Sequence, residues 1–187
     1  MTVSVPSYTA NALRALASLA GEFLDSKAMA AGAKLVERDG VPPPFDTLLV
    51  HEDHMTTTLQ TSYGRPVELR VLQERRKDSE YRRMILLTLQ GSDRVVEFGI
   101  VRLDLQFIPE PVRAEILERK TPLGDVLIRH HVLRRVEPRW FLHFQKPNPV
   151  LCYLQRPEAY GRVAVIHCNG LPAVELLEVV GGNLTDG

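Results

Sequence analysis

The run from residue 161 to residue 180 constrains the fold most. Two apolar segments, 161–168 and Leu171–Val180, flank the dipeptide Asn169-Gly170. Asn-Gly is the connection a two-residue β-hairpin prefers, because both residues tolerate positive φ. The two segments are therefore expected to be antiparallel neighbours in one sheet. The second reads Leu171-Pro172-Ala173-Val174-Glu175-Leu176-Leu177-Glu178-Val179-Val180 and is mostly apolar on both faces. That pattern marks a central strand.

Strand character recurs upstream. Val67, Leu69 and Val71 alternate with Glu68 and Arg70, and further runs cover 81–89 and 95–107, joined through Gln90-Gly91-Ser92-Asp93. Residues 131–144 read as another strand. Helical spacing dominates the alanine-rich stretch 9–36, where Leu13, Leu16, Leu19, Phe23 and Leu24 recur on one face. Gly40 and the proline triplet at 42–44 interrupt it. A short helix is expected after Asp53, ended by Gly64, and another over 111–119. The segment Thr121-Pro122-Leu123-Gly124-Asp125-Val126-Leu127 reads as a helix start, with Thr121 as cap and Pro122 at the first helical position. Residues 146–157 are broken by proline and fit no pattern. This order of helices, meandering strands, helices and more strands predicts an α+β fold: an antiparallel sheet of about six strands with helices packed on it. One globular domain is expected, with residues 1–45 as a helical extension and 46–182 as the core.

Composition narrows the function classes. Twenty-three basic residues balance twenty-three acidic ones, so the basic footprint of a nucleic-acid binder is missing. The two cysteines, Cys152 and Cys168, have no CxxC neighbour; buried thiols are expected rather than a zinc site or disulfide framework. No signal-peptide layout or apolar run of membrane-spanning length occurs, which gives the expectation of a cytoplasmic protein, monomeric or a small homo-oligomer.

Four groups of residues carry candidate chemistry. His51 and His54 could share a helical face and His130-His131 are adjacent, but a metal site needs a third convergent ligand, so no metal is expected. Arg83 lies in Tyr81-Arg82-Arg83-Met84-Ile85-Leu86-Leu87, where alternation puts it on a face with Tyr81, Ile85 and Leu87. An arginine on an apolar face needs an anion: either a structural carboxylate or a ligand's, gripped by the guanidinium fork. Glu178 shares a face with Val174, Leu176 and Val180, surroundings that raise a carboxyl pKa and suit proton transfer. Glu175 lies on the opposite face.

Together these pieces resemble the chorismate pyruvate-lyase family, the enzymes that make 4-hydroxybenzoate. The resemblance spans about residues 48–180. It rests on Glu52-Asp53-His54-Met55-Thr56, on Arg83-Met84-Ile85-Leu86-Leu87, on Thr121-Pro122-Leu123-Gly124, and on the hairpin leading to Glu178. It implies an antiparallel sheet enclosing its ligand beneath two helical flaps. It implies cleavage of chorismate to 4-hydroxybenzoate and pyruvate with no cofactor. Arg83 would hold a carboxylate and Glu178 would assist proton movement. Met55, Thr57, Leu123 and Gly124 would contact the substrate from the flaps. In the ubiquinone-pathway members an arginine follows the third-strand glycine. Here Gly99 is followed by Ile100, and Arg102 stands in as the anion contact. Residues 1–45 have no counterpart. Two other readings are a non-catalytic module of the same fold that binds a small aromatic acid, and a lyase or isomerase acting on a related enolpyruvyl acid.

Overall fold

A computed structural model describes residues 5–182. The chain begins with α1 (Val5–Ala20) and α2 (Ser26–Ala30). The Asp25 carboxylate accepts from the Ala28 backbone N–H at 2.7 Å and so caps α2. Strand β1 (Ala33–Val36) and helices α3 (Phe45–Leu49) and α4 (Met55–Tyr63) follow. Gly64, at φ 62°, ends α4 in the left-handed region. A meander of β2 (Val67–Lys77), β3 (Glu80–Leu89) and β4 (Val95–Asp104) leads to α5 (Glu110–Glu118) and α6 (Leu123–Arg129). The chain closes with β5 (Arg134–Gln145), α7 (Val150–Leu154), β6 (Glu158–Cys168) and β7 (Leu171–Val180).

The strands form one sheet in the order β1-β5-β6-β7-β4-β3-β2, every pair antiparallel. The α+β class and the helix-covered antiparallel sheet are those expected. At the β6–β7 turn Asn169 has φ 52° and Gly170 φ 84°, as a two-residue Asn-Gly hairpin requires. β7 is the middle strand of the seven, which accounts for its two apolar faces.

Helices cover both sides of the sheet. On one side Met84, Phe98, Ile100, Leu142, Phe144, Leu177 and Val179 pack with Leu16, Leu19 and Met29 from α1 and α2 and with Leu151 and Leu154 from α7. The opposite side carries two separate apolar clusters. In one, α3 and α4 set Leu48, Leu49, Met55 and Leu59 against Ile85, Leu87 and Val180. In the other, α5 and α6 set Val112, Ile116, Val126 and Leu127 against Val101, Ile166 and Leu176. The seam between these clusters is where a ligand space can open, because each helix pair has its own anchor on the sheet.

Four local expectations differ. Residues 33–36 form a strand, not part of a helical stretch; Ala33 pairs with Phe144 and Val36 with Phe141 on the exposed edge of β5. Four residues are too few to display alternation, so the neighbouring edge made this element, and it raises the expected six strands to seven. Thr121 does not cap α6: Pro122 occupies the N-cap and no side chain bonds there. Residues 150–154, within the unplaced segment, form α7 and bury Val150, Leu151 and Leu154. Cys168 is buried as expected, but Cys152 on α7 is exposed.

Candidate functional site

A cavity of about 40 Å³ occupies the seam between the two clusters. Its floor is the sheet and its roof is the N-terminal turns of α4 and α6. Met55 and Thr56 come from α4, while Pro122, Leu123 and Gly124 come from the start of α6. Gly124 is the crossing point of the flaps. A Cβ there would stand 3.0 Å from Thr56 Oγ1 and 3.1 Å from the His54 Cβ, so any larger residue would press the two helices apart by a few tenths of an ångström. Among the described residues one long side-chain bond, Gln60 Nε2 donating to Asp125 Oδ2 at 3.4 Å, ties α4 to α6 nearby.

The structure brings Arg83, Glu178, Met55, Leu123 and Gly124 together around this cavity. Thr57 and Arg102 lie elsewhere. Thr57 is exposed and faces an outer groove shared with His131, Arg134 and Arg135. Arg102 is one residue out of phase with Val101, so it points to the α1 side of the sheet. There it pairs with Glu175 and donates to Ser18 Oγ at 3.3 Å. The two glutamates of β7 thus belong to opposite faces: Glu178 lines the cavity and Glu175 does not.

Arg83 is 1% exposed, and neither its Nε nor its Nη1 has a hydrogen-bond partner among the described residues. Its β2 neighbour Glu74 is already engaged, accepting from Tyr81 Oη at 2.7 Å and from Arg119 Nη1 at 2.8 Å. Burial pushes the Arg83 pKa down, opposed by Tyr81 and Glu74. A guanidinium nonetheless keeps its charge in proteins. The cavity therefore holds a buried cation with two donors, Nε and Nη1, that meet no acceptor among the described residues, while Tyr81 and Glu74 lie close to the guanidinium.

Two further polar groups, Arg162 and Glu97, escaped the sequence reading, and His54, weighed there as a metal ligand, lines the cavity as well. Arg162 on β6 is fully buried and its Nε donates to Glu178 Oε2 at 2.6 Å. Its remaining donors hold the α3–α4 loop: Nη1 reaches Leu49 O at 3.1 Å and His51 O at 2.8 Å, and Nη2 reaches Asp53 O at 3.0 Å. Glu97 on β4 is 3% exposed and its Oε2 is unpartnered. Burial, reinforced by the nearby Glu178 charge and opposed by Arg162, raises its pKa well above the usual carboxylate range. Burial and the Glu178 charge both favour the protonated form of Glu97 in the unliganded cavity. His54, the N-cap residue of α4, accepts from Arg134 Nε at 2.6 Å. Burial first, then Arg134 and Arg162, bring its pKa down to about 4. Arg162 carried the same signal that singled out Arg83, an arginine inside an apolar strand, and Glu97 in Val95-Val96-Glu97-Phe98 carried the signal that singled out Glu178.

The His54 shift has a sign. An imidazole with a depressed folded pKa is bound by fewer protons folded than unfolded, so stability falls as pH drops from about 6.5 toward 4. Glu97 acts oppositely, because its neutral form belongs to the folded state. Subtraction isolates the first effect. Between pH 7 and pH 5, His54→Gln is expected to lose less unfolding free energy than the parent chain in urea titrations. Parallel losses would show that His54 does not titrate this way.

No family model matches the chain. No curated protein matches it either. Among solved structures, PhnF from Mycobacterium smegmatis superimposes with a TM-score of 0.53 at 11% identity, over 73% of this chain and 67% of that one. The effector domain of PhnF from the same organism gives 0.48 at 10%, over 70% and 89%. The possible transcriptional regulator YydK from Bacillus subtilis gives 0.44 at 8%, over 64% and 60%.

At such identities the likeness to PhnF establishes a shared fold, the chorismate lyase-like α+β fold. It also corrects the functional expectation. The solved structure whose likeness carries weight is PhnF rather than a lyase, which overturns the reading as a chorismate pyruvate-lyase. Chorismate as substrate, 4-hydroxybenzoate and pyruvate as products, and the assignment as an enzyme fall with it. The geometry supplies a physical reason. Glu178, cast as the proton-transfer group, is clamped by the fully buried Arg162. The resemblance read from the sequence was a resemblance of fold.

Proposed function

We propose that this chain is a non-catalytic ligand-binding module that takes a small organic anion, of the aromatic acid class, between the sheet and the α4 and α6 flaps. Arg83 is the observation that carries this reading. Leaving a charged group buried and unpaired costs several kcal/mol, and a bidentate carboxylate would remove that cost. Ile85, Leu87, Val101, Leu123 and Leu176 offer an apolar wall for the ligand's body. The cavity of about 40 Å³ has room for a few waters. Ligand pockets commonly hold roughly 300 Å³ or more, so admission requires the flaps to part. The sparse bonding between α4 and α6 suits that motion. Since PhnF shares the fold and has an effector domain, an effector role is proposed here too, in which flap position reports occupancy. No cofactor is invoked.

Calorimetry with benzoate and 4-hydroxybenzoate tests the site. Arg83→Met is expected to weaken binding at least tenfold, since charge-assisted hydrogen bonds contribute roughly 1.5–3 kcal/mol each. It is also expected to raise the melting temperature of the unliganded chain, because a buried charge with two unmet donors is replaced by an apolar side chain of similar length. Undiminished binding by Arg83→Met would remove Arg83 from the site.

A further inference from the structure

Resting on that anion-binding reading, we infer that the ligand is amphoteric: an acid that also carries an ammonium group, its carboxylate held by Arg83 and its ammonium by Glu97 beside Glu178. The sheet register fixes the arrangement. On β3 and β4 the cavity face runs through the pairs Arg83↔Val101, Ile85↔Gly99 and Leu87↔Glu97. Arg83 and Glu97 therefore stand at opposite ends of three successive rows. Each row on one strand face advances roughly 6.8 Å, two residues at about 3.4 Å. Glu178 pairs with Gly99 and so fills the middle row. Gly99 has no side chain to obstruct it, and a Cβ there would press on Ile85 at 3.0 Å and on Glu97 Oε1 at 3.2 Å. A cation thus sits at one end of the cavity and the Glu97 carboxyl group at the other, with the Arg162-paired Glu178 and apolar side chains between.

Partner counting gives the chemical class. Arg162 and Glu178 satisfy one another. That leaves unpartnered Arg83 Nε and Nη1 at one end and unpartnered Glu97 Oε2 at the other, all buried and all in cavity-lining residues. A simple apolar acid would satisfy Arg83 and leave Glu97 buried without a partner. A dicarboxylate would set a third carboxylate against Glu97 and Glu178. An amino acid-like ligand with separated charges completes every pair: Arg83 with carboxylate, Glu97 with ammonium, Glu178 with Arg162. The groups facing Glu97 are Glu178 from β7 and Arg162 from β6; Arg83 from β3 and His54 beside α4 complete the charged and titratable set. In the empty cavity a proton on Glu97 relieves its repulsion with Glu178. A bound ammonium does the same work, so that proton leaves as the ligand enters. No bond is made or broken in the ligand.

A rigid series tests this: 4-(aminomethyl)benzoate, 4-methylbenzoate and benzene-1,4-dicarboxylate, titrated into the full chain at pH 7 in two buffers of different ionisation enthalpy. The amino acid is expected to bind at least tenfold tighter than 4-methylbenzoate and to release protons as it binds, and the dicarboxylate to bind weakest. Glu97→Gln is expected to reduce the amino-over-methyl preference to threefold or less and abolish the proton release, while 4-methylbenzoate still binds. Equal or tighter binding of 4-methylbenzoate by the parent chain would overturn the inference and leave the anion site standing. So would an amino preference that Glu97→Gln leaves unchanged. Absence of binding by all three acids would sink the anion site and this inference together.

Discussion

Arg162→Met is expected to destabilise the chain by about 3–5 kcal/mol, the usual cost of removing one partner from a buried ion pair. The side chain is fully buried and bonds Glu178 Oε2 together with the carbonyls of Leu49, His51 and Asp53. Methionine fills a similar volume but donates nothing. Glu178 would then be a buried carboxylate beside Glu97, and the loop carbonyls would lose their donors. Urea unfolding measures the loss. Arg162→Lys is expected to recover little, since one ammonium cannot reach acceptors that a planar fork serves from several sides. Adding Glu178→Gln to Arg162→Met is expected to regain part of the loss, because it removes the stranded charge but not the orphaned carbonyls. Hydrogen exchange should localise the damage to residues 49–54, which lead into the α4 flap. A loss below about 1 kcal/mol would mean that water replaces the guanidinium there.

Gly161→Ala should be almost as damaging, at about 3 kcal/mol, the upper part of the range for overpacking a core. Gly161 pairs with Val179 near the centre of the sheet. A Cβ at this position would lie 2.6 Å from the Glu178 carbonyl oxygen, 2.9 Å from Val179 Cγ2 and 3.1 Å from Phe144 Cε2. The first of these is backbone and cannot rotate away, so β6 and β7 must separate. Because the clash falls on the main chain of Glu178, binding of 4-(aminomethyl)benzoate should weaken along with stability. Gly170→Ala offers the contrast: it has open space and a φ of 84°, and should cost about 1 kcal/mol through backbone strain alone. Equal effects at the two glycines would show that the sheet centre tolerates the added methyl group.

The sequence was legible where local rules and tertiary context agree. Asn169-Gly170 sets its own turn, and the strand alternation that put Arg83 with Ile85 and Leu87 is intrinsic to the pleat. The placing of Glu178 on the cavity side and Glu175 on the other follows from the same period of two. Arg102 was misjudged because the anion contact was assigned by analogy with a neighbouring position; its own alternation turns it toward α1. Thr57 failed for a similar reason: it sits in the flap helix, but its turn of the helix faces solvent.

What no local rule could supply was partnership. Arg83, Glu97, Arg162 and Glu178 all read as charges in apolar strands, and the sequence alone determined that much, along with the hairpin, the central position of β7 and the α+β class. Which of the four satisfy one another is a property of strand order. β6 beside β7 gives Glu178 to Arg162, while β4 on the other side of β7 brings Glu97 close without a counter-charge. β2 beside β3 offers Arg83 only a glutamate already engaged by Tyr81 and Arg119. Tertiary structure decided the unpaired ends because the energy of a buried charge depends on neighbours distant in the chain, and those neighbours exist only once the sheet is assembled.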